Sequence, residues 1–223
     1  MKSLTAQAFL FDLNGTMIDD MEFHTRAWYD ILNNDLGARL SWDDLKQEMY
    51  GKNHELLVRV FGPDRFTLAE MDHLSIEKEK RYQKEFFPKL QLIKGLPEFL
   101  EGAKKGGKAM AIGSAAIPFN IDFVVDNLDI RHYFGAIVSA ADVAESKPHP
   151  ETFTQAAARL GVPPQQCIVF EDAPKGVEAA QNACMQAIVL TTMHEAHEFA
   201  QYTNILAFIK DYTDPVLQPL LQS

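Results

Sequence analysis

The chain has 223 residues, 47% of them hydrophobic and 23% charged, with 21 basic against 31 acidic residues and a formal net charge of −10. That length can bury one sizeable core, or a core plus a small inserted domain. The acidic balance argues against nucleic acid or an anionic membrane as the main partner, and no apolar run is long enough to span a bilayer.

The opening Met1-Lys2-Ser3-Leu4-Thr5 is too short and polar to read as a signal peptide. The first expected strand is Ala8–Asp12. It runs Ala-Phe-Leu-Phe and breaks off in Asp12, followed by Leu13-Asn14-Gly15-Thr16. A buried strand that carries a carboxylate to its C-terminal tip is a usual address for a site in an open α/β sheet. From about Asp19 to Pro88 only helical patterns follow: Phe23–Asn33, Ser41–Tyr50, Asn53–Phe61 and Leu68–Phe86. Helices are then expected over Leu96–Lys105, Phe119–Leu128, Pro150–Leu160 and Lys175–Ala183. Strands are expected over Lys108–Gly113, Ala136–Ser139, Cys167–Phe170 and Ala187–Leu190. These strands are short, apolar and non-alternating, as parallel strands buried on both faces are. Alternation of strand and helix predicts an α/β fold with a doubly wound, Rossmann-like parallel sheet. The expected division is a core of residues 1–18 and 89–223 and an inserted α-helical cap domain of residues 19–88. The cap would lie over the strand tips as a lid.

Four strand tips carry chemistry: Asp12 and Asn14, then Gly113-Ser114-Ala115, then Ser146-Lys147-Pro148, then Glu171-Asp172. A carboxylate can act as a covalent nucleophile. Oxygen ligands from several tips suit Mg²⁺, and a lysine with a metal neutralises a transferring phosphoryl group. Other signals are weaker. Gly102–Ala109 nearly matches a P-loop but lacks the Ser/Thr and leads into a strand. His194 and His197 are three apart, not the four of a zinc-protease helix, so an exposed helix is expected there. Cys167 and Cys184 form no CxxC; a reduced cytoplasmic protein with an inert Cys167 is the simplest reading.

Taken together and in order, these four motifs resemble those of the haloacid dehalogenase superfamily of phosphotransferases. The segments His24-Thr25-Arg26-Ala27-Trp28, Ala141–Pro148 and Phe170–Ala179 are most similar to its β-phosphoglucomutase-like group with a helical cap. The resemblance implies a Mg²⁺-dependent phosphatase or phosphomutase acting on a small phosphorylated metabolite, and a monomer. It implies Asp12 as the nucleophile that forms an aspartyl phosphate. Mg²⁺ would be held by Asp12, the Asn14 backbone carbonyl and Asp172, with Glu171 as a ligand or behind one. Ser114 and the amide N–H groups after it, Ala115 first, would hold phosphate oxygens, and Lys147 would bridge phosphate and Asp12. His24, Trp28, His54 and Lys78 fall at substrate positions of the cap. Trp28 and Trp42 also read as cap packing, and Lys78 as part of an exposed helix with i,i+4 pairs.

Three departures stand out. Asn14 occupies the place of the family's acid/base Asp, and an amide cannot exchange a proton usefully with a leaving oxygen or water. His54 stands where mutases carry an Arg, whose bidentate fork a His lacks. Ala116-Ile117-Pro118 lacks the polar residues that mutases use for the sugar phosphate. Asn14 leaves two further readings open: an impaired scaffold that binds a phosphorylated ligand, and an engineered Asp-to-Asn form of an active enzyme.

Overall fold

A computed structural model describes residues 6–222. The chain divides into two compact units: Asp20–Leu90, and the chain on either side of it.

The flanking unit is built on a six-stranded, all-parallel sheet. Its strands are β1 (Ala8–Phe11), β2 (Ala109–Gly113), β3 (Ala136–Val138), β4 (Cys167–Glu171), β5 (Gln186–Leu190) and β6 (Ile205–Ile209), in the order β3-β2-β1-β4-β5-β6. Every residue of β1 and β4 is buried, which explains their unbroken apolar runs. Helices of this unit are Leu96–Lys105, Pro118–Asn127, Glu151–Leu160 and Pro174–Asn182, numbered below after those of the other unit. The chain builds β1 to β3 outward in one direction, then crosses back to lay β4 to β6 on the other side. The order therefore reverses at β1, which pairs with β2 through Ala8↔Ala109 and with β4 through Ala8↔Cys167. Such a reversal opens a crevice beyond the carboxyl ends of the strands, and here those ends carry Asp12, Ser114 and Asp172.

The sheet confirms the expected α/β class, and the five expected strands lie within one residue of their observed bounds. The sixth, β6, was not expected. Its run Ile-Leu-Ala-Phe-Ile sits at the sheet edge and is only partly buried. The pair His194/His197 borders a short 3-10 turn, Ala196–Phe199, in place of the expected helix. Cys167 is buried, and burial pushes its thiol up to about 11, as an inert cysteine requires.

The Asp20–Leu90 unit is helical: α1 (Met21–Tyr29), α2 (Trp42–Glu48), α3 (Asn53–Phe61) and α4 (Leu68–Phe86). The later helices are thus α5 to α8. Helix α1 runs on into a π-helical turn, Asp30–Asp35. Two starts are fixed by reciprocal caps. Ser41 accepts from the Asp44 N–H while Asp44 accepts from the Ser41 N–H, and Thr67 and Glu70 do the same. Trp28, Ile31, Leu32, Leu45, Leu56, Leu57 and Met71 form the core of this unit. Among the described residues no helix is long and apolar enough to cross a membrane.

Gly95, just before α5, has φ of +81°, and a Cβ there would lie 2.7 Å from the Thr213 backbone nitrogen. Gly95→Ala combines left-handed strain with a clash against main chain, so a loss of about 1–3 kcal/mol is expected. A urea midpoint lowered at unchanged m-value is the check.

Candidate functional site

Asp12, Glu171, Asp172 and the Lys147 ammonium lie near the tips of the central strands, with Lys147 closing on Asp12 and Glu171. Lys147 Nζ donates to Asp12 Oδ1 at 2.6 Å and to Glu171 Oε1 at 2.7 Å. It also sits 4.6 Å from the centre of the Phe153 ring. All of these polar groups are buried: Asp12 and Lys147 are 8% exposed, Asp172 4% and Glu171 2%. Burial lowers the affinity of Lys147 for its proton, but Asp12 and Glu171 outweigh that and hold the ammonium above its usual range. The second Glu171 oxygen, Oε2, accepts from the N–H groups of Asp172 and Ala173, each at 2.9 Å. Both oxygens of Glu171 are therefore engaged in fixing Lys147 and the turn into α8. Of the two places expected for Glu171, these contacts favour the one behind a cation's ligands.

Asp172 has a different environment. Burial and the negative charges of Glu171 and Asp12 together raise its pKa well above the usual carboxylate range. Asp12, Glu171 and Asp172 share one ammonium, so an ionised Asp172 calls for further positive charge, which a divalent cation would supply. Among the described residues no three His, Cys, Asp or Glu side chains close on one point. The donor set that fits is therefore two carboxylates, Asp12 and Asp172, with backbone carbonyl oxygen; an all-oxygen set suits a hard cation that keeps several waters. Gly15 allows this approach. Its φ is +75°, and a Cβ on it would lie 2.0 Å from Asp172 Oδ2, so only glycine lets the turn after Asp12 and the Asp172 carboxylate share the space. Asn14 lies in that turn and is half-buried.

Ser114 ends β2 and is 1% exposed. Its Oγ accepts from the Ala116 N–H at 3.1 Å, so that amide is already used. The expected row of amides for a phosphate is thus reduced to the Ser114 hydroxyl and the Ala115 N–H. Ala115 itself is half-buried.

The remaining candidates lie in the helical unit. Lys78 on α4 is only 3% exposed, which overturns its reading as part of an exposed charged helix. Its Nζ lies 2.8 Å from His24 Nδ1 and donates to Glu79 Oε1 at 2.8 Å. An ammonium can only donate, so His24 carries its ring proton on Nε2, which faces Asp20 Oδ2 at 3.2 Å. Tyr82 stacks on His24 with centroids 3.7 Å apart and donates to the same Asp20 oxygen at 2.6 Å. Glu79 also accepts from Asn53 Nδ2 at 3.2 Å. Burial would raise its pKa, but the charge of Lys78 and the hydrogen bonds from Lys78 and Asn53 prevail and hold it below the usual range. Its other oxygen, Oε2, is buried without a hydrogen bond and has His24 Nδ1 at 3.8 Å. His54, half-buried, pairs with the exposed Asp72 at 2.9 Å. Trp28 shows 1% of its surface and belongs to the core of this unit. Of the two places expected for Trp28, this burial favours packing. Trp42 packs with Tyr29, ring centroids 5.6 Å apart.

Sequence reasoning missed four groups: Asp20 and Glu79 in this network, and Thr192 and Tyr212, whose hydroxyls donate to the Gly15 and Thr16 carbonyls in the turn after Asp12. A buried acid next to a lysine, as in Lys78-Glu79, carries no pattern that separates it from the solvated charges around it. Thr192 and Tyr212 follow β5 and the unexpected β6, beyond the recognised motifs.

A family model described as haloacid dehalogenase-like hydrolase matches residues 6–183. The chain is 32% identical to the fructose-1-phosphate phosphatase of Escherichia coli K12, over 80% of this chain and 93% of that one. It is 31% identical to the β-phosphoglucomutase of Bacillus subtilis 168, over 82% of each. A crystal structure of a haloacid dehalogenase hydrolase from Entamoeba histolytica superimposes with a TM-score of 0.84 at 24% identity, over 96% of this chain and 97% of the other. With most of its length matched, the chain belongs to the haloacid dehalogenase-like hydrolase family, in its β-phosphoglucomutase-like group.

Proposed function

We propose that the protein is a Mg²⁺-dependent phosphatase that acts on a monophosphorylated sugar or sugar alcohol through an aspartyl phosphate on Asp12. The observation that carries this reading is Lys147, held at 2.6 Å from Asp12 Oδ1 and 2.7 Å from Glu171 Oε1. It keeps the attacking carboxylate ionised and in place, with a positive charge beside the phosphoryl oxygens. An Asp12 oxygen forms a bond to phosphorus as the ester P–O bond breaks, and the leaving oxygen takes a proton from solvent water and departs as the alcohol. Water then attacks the same phosphorus, releasing inorganic phosphate and restoring the carboxylate. The Ser114 hydroxyl and Ala115 N–H would orient the transferring group. Asp12, the Asn14 carbonyl and Asp172 would hold Mg²⁺, which when bound supplies charge neutralisation at the phosphoryl oxygens. The names of relatives, among them the fructose-1-phosphate phosphatase and a hexitol phosphatase, support a sugar or sugar-alcohol phosphate.

The helical unit favours a phosphatase over a mutase. A phosphomutase passes through a bisphosphate and needs a cation for its second phosphate. The three candidates for that contact are each matched by an acid: Lys78 by Glu79, His24 by Asp20 and His54 by Asp72. The His54 pair is partly exposed and weak, but the Lys78–Glu79 pair is buried and cannot be screened by water. Glu79→Gln removes that matching charge. It is expected to improve binding of a hexose bisphosphate relative to the monophosphate by about 10-fold. Calorimetric dissociation constants for both ligands check this, and equal change for the two would reject the assignment.

Asn14 supports a second reading, a scaffold that binds a phosphate ester and turns it over slowly. One assay separates the two. Mg²⁺-dependent phosphate release from hexose 1- and 6-phosphates and p-nitrophenyl phosphate is measured for the chain and for Asn14→Asp. General acid–base help is worth about 10²–10⁴ in rate, so Asn14→Asp is expected to be faster by about 10² or more. Equal rates would mean that another group moves the proton. No turnover by either form, together with failure of beryllium fluoride to occupy Asp12, would remove the enzymatic reading.

A further inference from the structure

The turn after Asp12 is tied down one peptide plane at a time. The Gly15 N–H donates to the Ile18 carbonyl at 2.8 Å, and the Met17 N–H donates to the Leu13 carbonyl at 2.8 Å. Two side-chain hydroxyls from the far end of the chain complete the set. Thr192 Oγ1 donates to the Gly15 carbonyl at 2.7 Å, and the Tyr212 hydroxyl donates to the Thr16 carbonyl at 3.1 Å. Because a peptide unit is planar and trans, a bond at one end of it aims the other end. The three planes between Asn14 and Met17 are therefore all fixed, and the first of them contains the Asn14 carbonyl.

The same ties reach Asp172. The Thr16 side chain donates to Asp172 Oδ1 at 3.4 Å, and that residue's own carbonyl is the one Tyr212 holds. Tyr212 is 3% exposed. Its ring packs among Phe11, Phe99 and Phe170, with centroids 5.6–6.4 Å away, so the hydroxyl sits on a rigid arm. Burial and the charges of Asp12 and Asp172 raise its pKa well above the ordinary tyrosine value, and it stays a donor at any working pH. Thr192 stands just beyond β5 and Tyr212 just beyond β6. Neither lies within the residues 6–183 that match the family model.

We propose that Thr192 and Tyr212 are positioning residues for the divalent-cation site, aiming the Asn14 carbonyl and the Asp172 carboxylate from outside the part of the chain that defines the family. This rests on the reading that Asp12, Asn14 and Asp172 hold the cation. Groups that orient metal ligands typically change metal affinity by about 10–100-fold when removed, and these two act together on one turn.

The test is Mn²⁺ binding to the full chain without substrate, followed by loss of the free-ion electron paramagnetic resonance signal. Tyr212→Phe keeps the ring and removes only the hydroxyl. Thr192→Val keeps the shape, and Thr192→Ser keeps the donor. Tyr133→Phe, which loses a hydroxyl contact to Glu101 elsewhere, is the control. Tyr212→Phe and Thr192→Val are each expected to weaken Mn²⁺ binding by about 10-fold, while Thr192→Ser and Tyr133→Phe bind as the unaltered chain does. If Tyr212→Phe does not fold, the Thr192 pair decides alone. Unchanged binding in folded Tyr212→Phe and Thr192→Val, or equal weakening by Thr192→Val and Thr192→Ser, overturns the proposal and leaves the metal reading standing. No Mn²⁺ uptake by the unaltered chain would instead overturn the metal reading, and this proposal with it.

Discussion

The Lys147 ammonium buried between Asp12 and Glu171 is the interaction on which the rest of the sheet unit's chemistry depends. Three buried acids so placed would repel one another, and some would take up protons. Lys147 pairs with two of them, Asp12 and Glu171, and leaves Asp172 outside the pair with its pKa raised. A buried pair of this kind adds little net stability, because desolvation cancels much of the attraction. Its value is in direction: the lysine fixes which Asp12 oxygen is engaged, and Glu171 fixes the lysine. The sheet supplies the positions. Reversal of strand order at β1 brings together residues as distant in sequence as Asp12, Lys147 and Asp172.

The helical unit solves a related problem differently. Asp20, Glu79, Lys78, His24 and Tyr82 form a buried polar network in which His24 is clasped from both nitrogens. Such networks hold one arrangement firmly when every member is satisfied. One member is not: Glu79 Oε2 has a lone pair without a donor. The network is thus negative in balance, and a hydroxyl would suit it better than a further anion.

Much of this was legible in the sequence, for reasons that can be named. Buried parallel strands read as unbroken apolar runs, so β1 to β5 could be placed. An acid or a hydroxyl at the end of such a run stands out against its apolar surroundings, as Asp12, Ser114 and Asp172 do, whereas Lys147 was marked only by its place in Ser146-Lys147-Pro148. Other features lacked a local signature. The run of β6 is apolar too, but it lies at an edge after a stretch of turns, where helix–strand alternation gives no guide. Trp28 has the same residue type whether it packs or binds. Glu171 and Asp172 are neighbours, yet one faces backward to a lysine and the other toward open charge, a division set by the turn into α8. Tyr212 acts across 196 residues of sequence, a separation at which no spacing rule operates.

The pairing of β1 has a consequence for how the chain acquires its structure. This strand is fully apolar and occupies the middle of the sheet, yet its partners lie about a hundred and about a hundred and sixty residues later, at Ala109 and Cys167. At a synthesis rate of about 5–20 residues per second, β1 waits for several seconds or more before either neighbour exists. The helical unit, with its own core and contacts close in sequence, can form during that interval. Closure of the sheet is left to long-range encounters, which are slow to nucleate. The strand that leads into Asp12 is thus made before its neighbours and can be completed only after them.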